Sequence, residues 1–128
     1  MVAWAEYKAE AKSRGALALE LFVVQTTPAS GPEAVKASLA DHLAYQRKLE
    51  EAGQLVMAGP VSNETGEQMQ GAGMILLRAA SQEEAEALAA ADPMHSSGAR
   101  TYVLRRWLVN EGSLNISVGL STGHVDLK

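Results

Sequence analysis

The sequence predicts an α+β domain with two helices laid on one face of a single antiparallel sheet. Three observations predict it. Apolar residues alternate with period two from residue 17 to about 26 while 101–109 are rich in β-branched and aromatic residues, a long stretch at 33–52 carries apolar residues at helical spacing, and a second helical stretch separates the third and fourth strand signals.

Taken in order, residues 2–14 place Trp4, Tyr7, Lys8 and Ala11 at helical spacing before Gly15, which predicts a short amphipathic N-terminal helix. Leu17, Leu19, Leu21 and Val23 alternate with Ala18, Glu20 and Phe22 in a first strand to about Thr26, broken by the segment from Pro28 to Pro32. Val35, Leu39, Leu43 and Leu49 then define the first long helix, 33–52, with Gly53 as its stop. Residues 54–62 and 71–78 read as two strands joined by the polar turn Asn63-Glu64-Thr65-Gly66-Glu67. Ser81-Gln82-Glu83-Glu84 has the form of a capping box, so a second helix starts there and ends at Asp92-Pro93. Residues 101–109 make a fourth strand. Leu114, Ile116, Val118 and Leu120 alternate with polar or small residues as a fifth, joined to the fourth by Asn110-Glu111-Gly112-Ser113.

The inner order is β-α-β-β-α-β, the split pattern of a ferredoxin-like sheet, with an N-terminal helix and an extra C-terminal strand added. The domain division that follows is a helical appendage at 1–15, the domain proper at 16–122 and a tail at 123–128. Strands one and four carry apolar residues on both faces (Phe22 and Val24 against Leu21 and Val23; Leu104 against Val103) although helices cover only one. The uncovered face predicts a homodimer, or a higher homo-oligomer, that meets through the sheet.

Composition narrows the function. A formal charge of -4, with both signs interspersed, offers no basic stripe for a phosphate backbone, so nucleic acid is not an expected partner. The absence of cysteine removes disulfides, thiolate zinc sites and a cysteine nucleophile. Residues 1–8 lack the basic and apolar regions of a signal peptide, and no apolar run nears the roughly 20 residues that span a bilayer. Membrane is therefore not an expected partner, and the expected compartment is the cytoplasm.

His42 falls on the apolar stripe of the first helix, three residues after Leu39 and seven before Leu49. Two readings stand side by side: a core histidine satisfied by a backbone carbonyl, or a functional imidazole. Asp92, four residues after Leu88 and seven after Ala85, lies on the buried face of the second helix at its last turn. A carboxylate is disfavoured there by burial and by the helix dipole, and so it wants a cation. It also has a plainer role, since Asp before Pro stops a helix and bonds the following amides. Both helices lie on one face of the sheet, which allows His42 and Asp92 to meet. His95 sits in Met94-His95-Ser96-Ser97-Gly98, a segment suited to a loop that lines a pocket. Arg105, in the pair Arg105-Arg106, reads either as a solvated strand position or as a clamp on a substrate carboxylate. Tyr45 and Ser62 complete the candidate substrate contacts. The histidines lack zinc-ligand spacing, so no metal or other cofactor is expected. His124, in a polar tail, is assigned no role.

The stretch from His42-Leu43 to Glu51-Ala52-Gly53-Gln54-Leu55-Val56-Met57-Ala58-Gly59-Pro60 resembles the first signature of the YciI-like, or YCII-related, family. Ala91-Asp92-Pro93 with Gly98 resembles the second, and the resemblance spans roughly residues 17–109. It implies a fold of the dimeric α+β barrel superfamily, a His-Asp pair carried onto His42 and Asp92 beside a cleft, and cofactor-free lyase or dehydrochlorinase chemistry on small aromatic or ring-cleaved compounds. His95, where an aromatic residue often follows Asp-Pro, and the extension from Trp107 to Leu120 depart from the minimal pattern.

The leading expectation is a cofactor-free enzyme. In it His42 is general acid or base, Asp92 orients it, and His95 or Arg105 holds a small, anionic substrate during a proton abstraction, elimination or isomerisation. A non-catalytic small-molecule-binding or accessory module with the same cleft is the second reading. A dimeric α/β-barrel monooxygenase, by analogy of fold, is the third.

Overall fold

β1 (Leu19–Pro28) shows how the sheet builds its core. Phe22 and Val24 point to one face and are fully buried, while Val23 and Gln25 point to the other. The computed structural model describes all 128 residues. It divides them into two compact units, residues 20–107 and a second made of residues 1–19 with 108–128.

The larger unit holds α2 (Pro32–Glu51), β2 (Leu55–Ser62), β3 (Met69–Leu77), α3 (Gln82–Ala91), the single turn α4 (Pro93–Ser96) and, as far as Trp107, β4 (Arg100–Val109). Its sheet is antiparallel with strand order β2-β3-β1-β4, the ferredoxin-like arrangement expected from the sequence. β1 pairs β3 with Phe22 opposite Leu77 and Val24 opposite Ile75, so the apolar partners coincide on the helix side. These four residues, Leu49 of α2, and Ala85 and Ala89 of α3 form the buried core. Burial of each large member contributes about 1.5–3 kcal/mol. The two alanines let α3 lie close to the sheet. A register shift between Leu55 and Met57 keeps Leu55 against Leu77 while Met57 turns to the open face.

α2 begins with Gly31 at φ 88 and Pro32 in its first turn, and Gly53 at φ 74 follows its end. Only its C-terminal half packs on the core, through Tyr45 and Leu49. Leu39 and Leu43, expected to face the sheet, are 45% and 54% exposed. The apolar stripe is real, but it forms one wall of a cleft. At the start of α3 Ser81 Oγ accepts from Glu84 N at 3.1 Å, the first half of a capping box, while Glu84 Oε2 reaches one residue past the cap to accept from Ala80 N at 2.9 Å.

The smaller unit contains α1 (Trp4–Ser13), β5 (Ile116–Val118) and β6 (Val125–Leu127). Ala11, Ala18 and Leu108 are its buried residues, with Trp4 and Ala16 packed beside them. The fifth strand does not form the expected hairpin with the fourth. It pairs with β6, drawn from residues expected to be a tail, with Ile116 opposite Leu127 and Val118 opposite Val125. The turn between them is closed by Gly119 N to His124 O at 2.8 Å and Gly123 N to Gly119 O at 2.9 Å, with Gly123 at φ 72. This hydrogen-bonded turn brings β5 and β6 together. β5 and β6 form a two-stranded sheet of their own, and Leu114, Ile116, Val118 and Leu120 are all exposed. No helix is long and apolar enough to cross a membrane.

Candidate functional site

Within the larger unit, α2 stands off β2 and β3 to leave a cleft of about 1080 Å³. Val35, Leu39, His42, Leu43 and Gln46 of α2 form one wall, β2 and β3 from Leu55 to Ile75 form the floor, and Thr26, Met94, His95 and Arg100 close one end. Residues 35, 39, 42, 43 and 46 share one helix face by their spacing, which is why an imidazole and an amide follow the leucines into the cleft.

His42 and Asp92 meet. The His42 Nδ1 lies 2.8 Å from Asp92 Oδ1 and 2.9 Å from Oδ2. Gln46 Nε2, one turn on along α2, donates to Oδ2 at 3.1 Å, and the Met94 amide donates to Oδ1 at 2.9 Å. The two roles weighed for Asp92 are both filled. Pro93 holds its backbone extended at φ -60 and ψ 126, its side chain caps α4, and the same carboxylate faces the imidazole. Asp92 is 1% exposed. That burial works to raise its pKa; the hydrogen bonds from His42, Met94 and Gln46 and the charge of His42 outweigh it and hold the carboxyl below the usual value.

An ionised carboxylate against Nδ1 makes that nitrogen the donor and fixes the ring's tautomer. No protein group bonds Nε2, and His42 borders the cleft, so Nε2 is left without a protein partner there. The Oε1 of Gln46 is buried without a donor, the consequence of turning Nε2 of the same amide towards Asp92.

His95 also borders the cleft, on α4 rather than in the expected loop, but both its nitrogens are engaged. Nδ1 donates to Ala89 O at 2.7 Å, and Nε2 lies 2.9 Å from Thr26 Oγ1. The Ala89 carbonyl can only accept, so Nδ1 carries the proton; Nε2 of the neutral ring then accepts from the Thr26 hydroxyl, whose oxygen accepts from Arg100 Nε at 2.9 Å. The His95 ring stands 4.4 Å from that of Tyr102, tilted by 42°. Arg100 further donates through Nη2 to Thr26 O at 2.9 Å and to Gly71 O. Burial lowers the Arg100 pKa and the charge of Asp92 opposes that fall.

Three expected substrate contacts lie elsewhere. Arg105 belongs to the other face of the sheet, because it alternates with Leu104 and packs towards the helix-free side, where its Nη1 donates to Gln25 Oε1 at 3.0 Å. Ser62, exposed at the end of β2, donates to the carbonyl of Asn63 at 2.9 Å. Tyr45 turns towards α3 and donates to Leu88 O at 2.7 Å; burial, then the charge of Asp92, raises its pKa. Sequence reasoning missed Gln46, Thr26 and Arg100. The first was readable as the residue one turn after His42, and the third as the strand position two before Tyr102 and four before Leu104, on the helix side. No group of three His, Cys, Asp or Glu side chains is placed to hold a metal ion.

A family model described as the YCII-related domain matches residues 18–108. Among solved structures, the chain is similar to 5-chloro-2-hydroxyhydroquinone dehydrochlorinase from Burkholderia phenoliruptrix in complex with 2,5-dihydroxybenzoquinone. The two share 23% identity at a TM-score of 0.57, over 68% of this chain and 92% of that one. No curated protein matches.

Proposed function

The chain belongs to the YCII-related family, and from that membership and the geometry at His42 we propose that it is a cofactor-free, lyase-type enzyme acting on a small anionic, aromatic or ring-derived substrate. One observation carries the reading: Asp92 occupies Nδ1 of His42 and leaves Nε2 bare towards the cleft. Nε2 takes a proton from the substrate as general base. The electron pair left behind expels the leaving anion, and the imidazolium is stabilised by Asp92 until it returns the proton to solvent. Val35, Leu39, Leu43 and Ile75 supply apolar surface for a ring. The similarity to a dehydrochlorinase favours elimination of a halide over isomerisation. We place the enzyme in the cytoplasm as a homodimer joined through the open sheet face, where Val103 and Trp107 are exposed.

The test is His42→Asn against wild type, following chloride release from 5-chloro-2-hydroxyhydroquinone and turnover of related halogenated ring acids. Turnover falls at least about a hundredfold. Stability falls by no more than about 1–3 kcal/mol, because Gln46 and Met94 still satisfy Asp92. Large destabilisation with turnover intact would remove His42 from the chemistry.

A further inference from the structure

Arg100 is a cation with no carboxylate of its own. Its hydrogen bonds go to Thr26 Oγ1, Thr26 O and Gly71 O, all neutral acceptors, and no Asp or Glu oxygen forms an ion pair with it. Asp92 is already engaged by His42, Gln46 and Met94. Glu50, the carboxylate that borders the cleft, is exposed and makes no bond to the guanidinium. The three bonds use Nε and both hydrogens of Nη2, so the two N–H groups of Nη1 remain. Nη1 is not among the buried atoms lacking a partner, so it keeps contact with solvent, and Arg100 borders the cleft.

The guanidinium is also held in direction. Gly71 sits at φ 94, and its missing side chain lets Pro28 close in, which sets the carbonyl that Nη2 binds. Thr26 Oγ1 accepts from Nε and passes its own proton to His95 Nε2, whose Nδ1–H ends on Ala89 O. The chain of donors runs one way, from Arg100 through Thr26 and His95 to the end of α3, and fixes the guanidinium plane.

We propose that Arg100 anchors a negatively charged oxygen of the substrate, a carboxylate or an ionised ring hydroxyl, through Nη1, and that Thr26 and His95 are positioning residues that aim it. The inference rests on the proposed reaction for its substrate, and it replaces Arg105 as the anion contact. It also gives His95 a place: the ring orients Arg100 through Thr26.

The experiment measures binding apart from turnover. Isothermal titration with 2,5-dihydroxybenzoquinone, ionised at neutral pH, is paired with benzoate and its neutral isostere benzamide, for wild type, Arg100→Met, Arg100→Lys, Thr26→Val, Thr26→Ser and His42→Asn. Wild type binds the anions in preference to benzamide. Arg100→Met weakens anion binding roughly tenfold to a hundredfold and leaves benzamide unchanged, as expected for one charge-assisted contact. Arg100→Lys, which keeps the charge and loses the fork, falls between. Thr26→Val raises KM for an anionic substrate with little change in kcat, and Thr26→Ser restores it.

Anion affinity equal to wild type in Arg100→Met, or a wild type that binds no anion better than benzamide at millimolar concentration, overturns the proposal. Where circular dichroism shows Arg100→Met unfolded, Thr26→Val and Arg100→Lys decide, and wild-type anion affinity in both overturns it. The two readings separate cleanly. His42→Asn that loses turnover while Arg100→Met keeps its anion sinks the Arg100 anchor alone. The reverse pattern supports the anchor and removes the proton chemistry.

Discussion

Replacing Asp92 with Ala tests the site and the fold in one step. The carboxylate accepts from His42 Nδ1, Gln46 Nε2 and the Met94 amide, and it is 1% exposed. The Met94 bond is a helix cap worth about 1 kcal/mol. The other two are bonds to a buried charge, each worth about 1.5–3 kcal/mol before the relief of no longer burying that charge is subtracted. The net loss is about 3–5 kcal/mol, the range for removing one partner of a buried pair. In urea unfolding, with a slope of about 1–3 kcal/mol per molar, the midpoint falls by at least about 1 M. Asp92→Asn retains an oxygen for the cap and loses about half as much. Nitrogen NMR of the His42 ring gives a second readout: the Nδ1–H form dominates in wild type, and Asp92→Ala loses that preference. A loss under about 1 kcal/mol with an unchanged tautomer would show that the carboxylate does not hold the imidazole.

Three further outcomes are expected. The Asp92 carboxyl is held below the unfolded value of about 3.9, so its contribution is complete above that pH and is lost as pH falls through the lower folded value. The unfolding free energies of wild type and Asp92→Ala therefore converge in acid, and a gap that persists or widens there would contradict the assignment. Tyr102 is pushed up to about 12 by burial, then by its hydrogen bond to Glu86 and the charge of Glu86. One of the three tyrosines titrates near that value in phenolate absorbance, Glu86→Gln brings it down, and stability falls as pH rises from about 10 through it. Gly71→Ala forces a Cβ to within 2.6 Å of Pro28 Cγ at φ 94. It costs about 1–3 kcal/mol in thermal unfolding and weakens anion binding by displacing the carbonyl that holds Arg100.

Much of this molecule was legible in its sequence, for reasons that differ by residue. His42 and Asp92 were found because helical spacing reports direction, and each pointed inward from its own helix. What spacing omits is the distance between α2 and the sheet, so the stripe that carries Leu39 and Leu43 was legible and the cleft they line was not. Arg105 drew attention through its neighbour Arg106, yet strand alternation sets it on the face opposite His42 and leaves Arg100 on the right one. The pairing of β5 depended on which of two glycine-containing turns closes, a contest between connections that local pattern does not rank.

The half of α2 that stands away from the sheet separates two burdens within a single helix. Tyr45 and Leu49 anchor it, whereas Leu39 and Leu43 bear little of the weight of folding. Side chains on that free wall can change size or polarity while the domain stays folded and His42 stays in place, so descendants of this scaffold have room to trade one ring-shaped substrate for another.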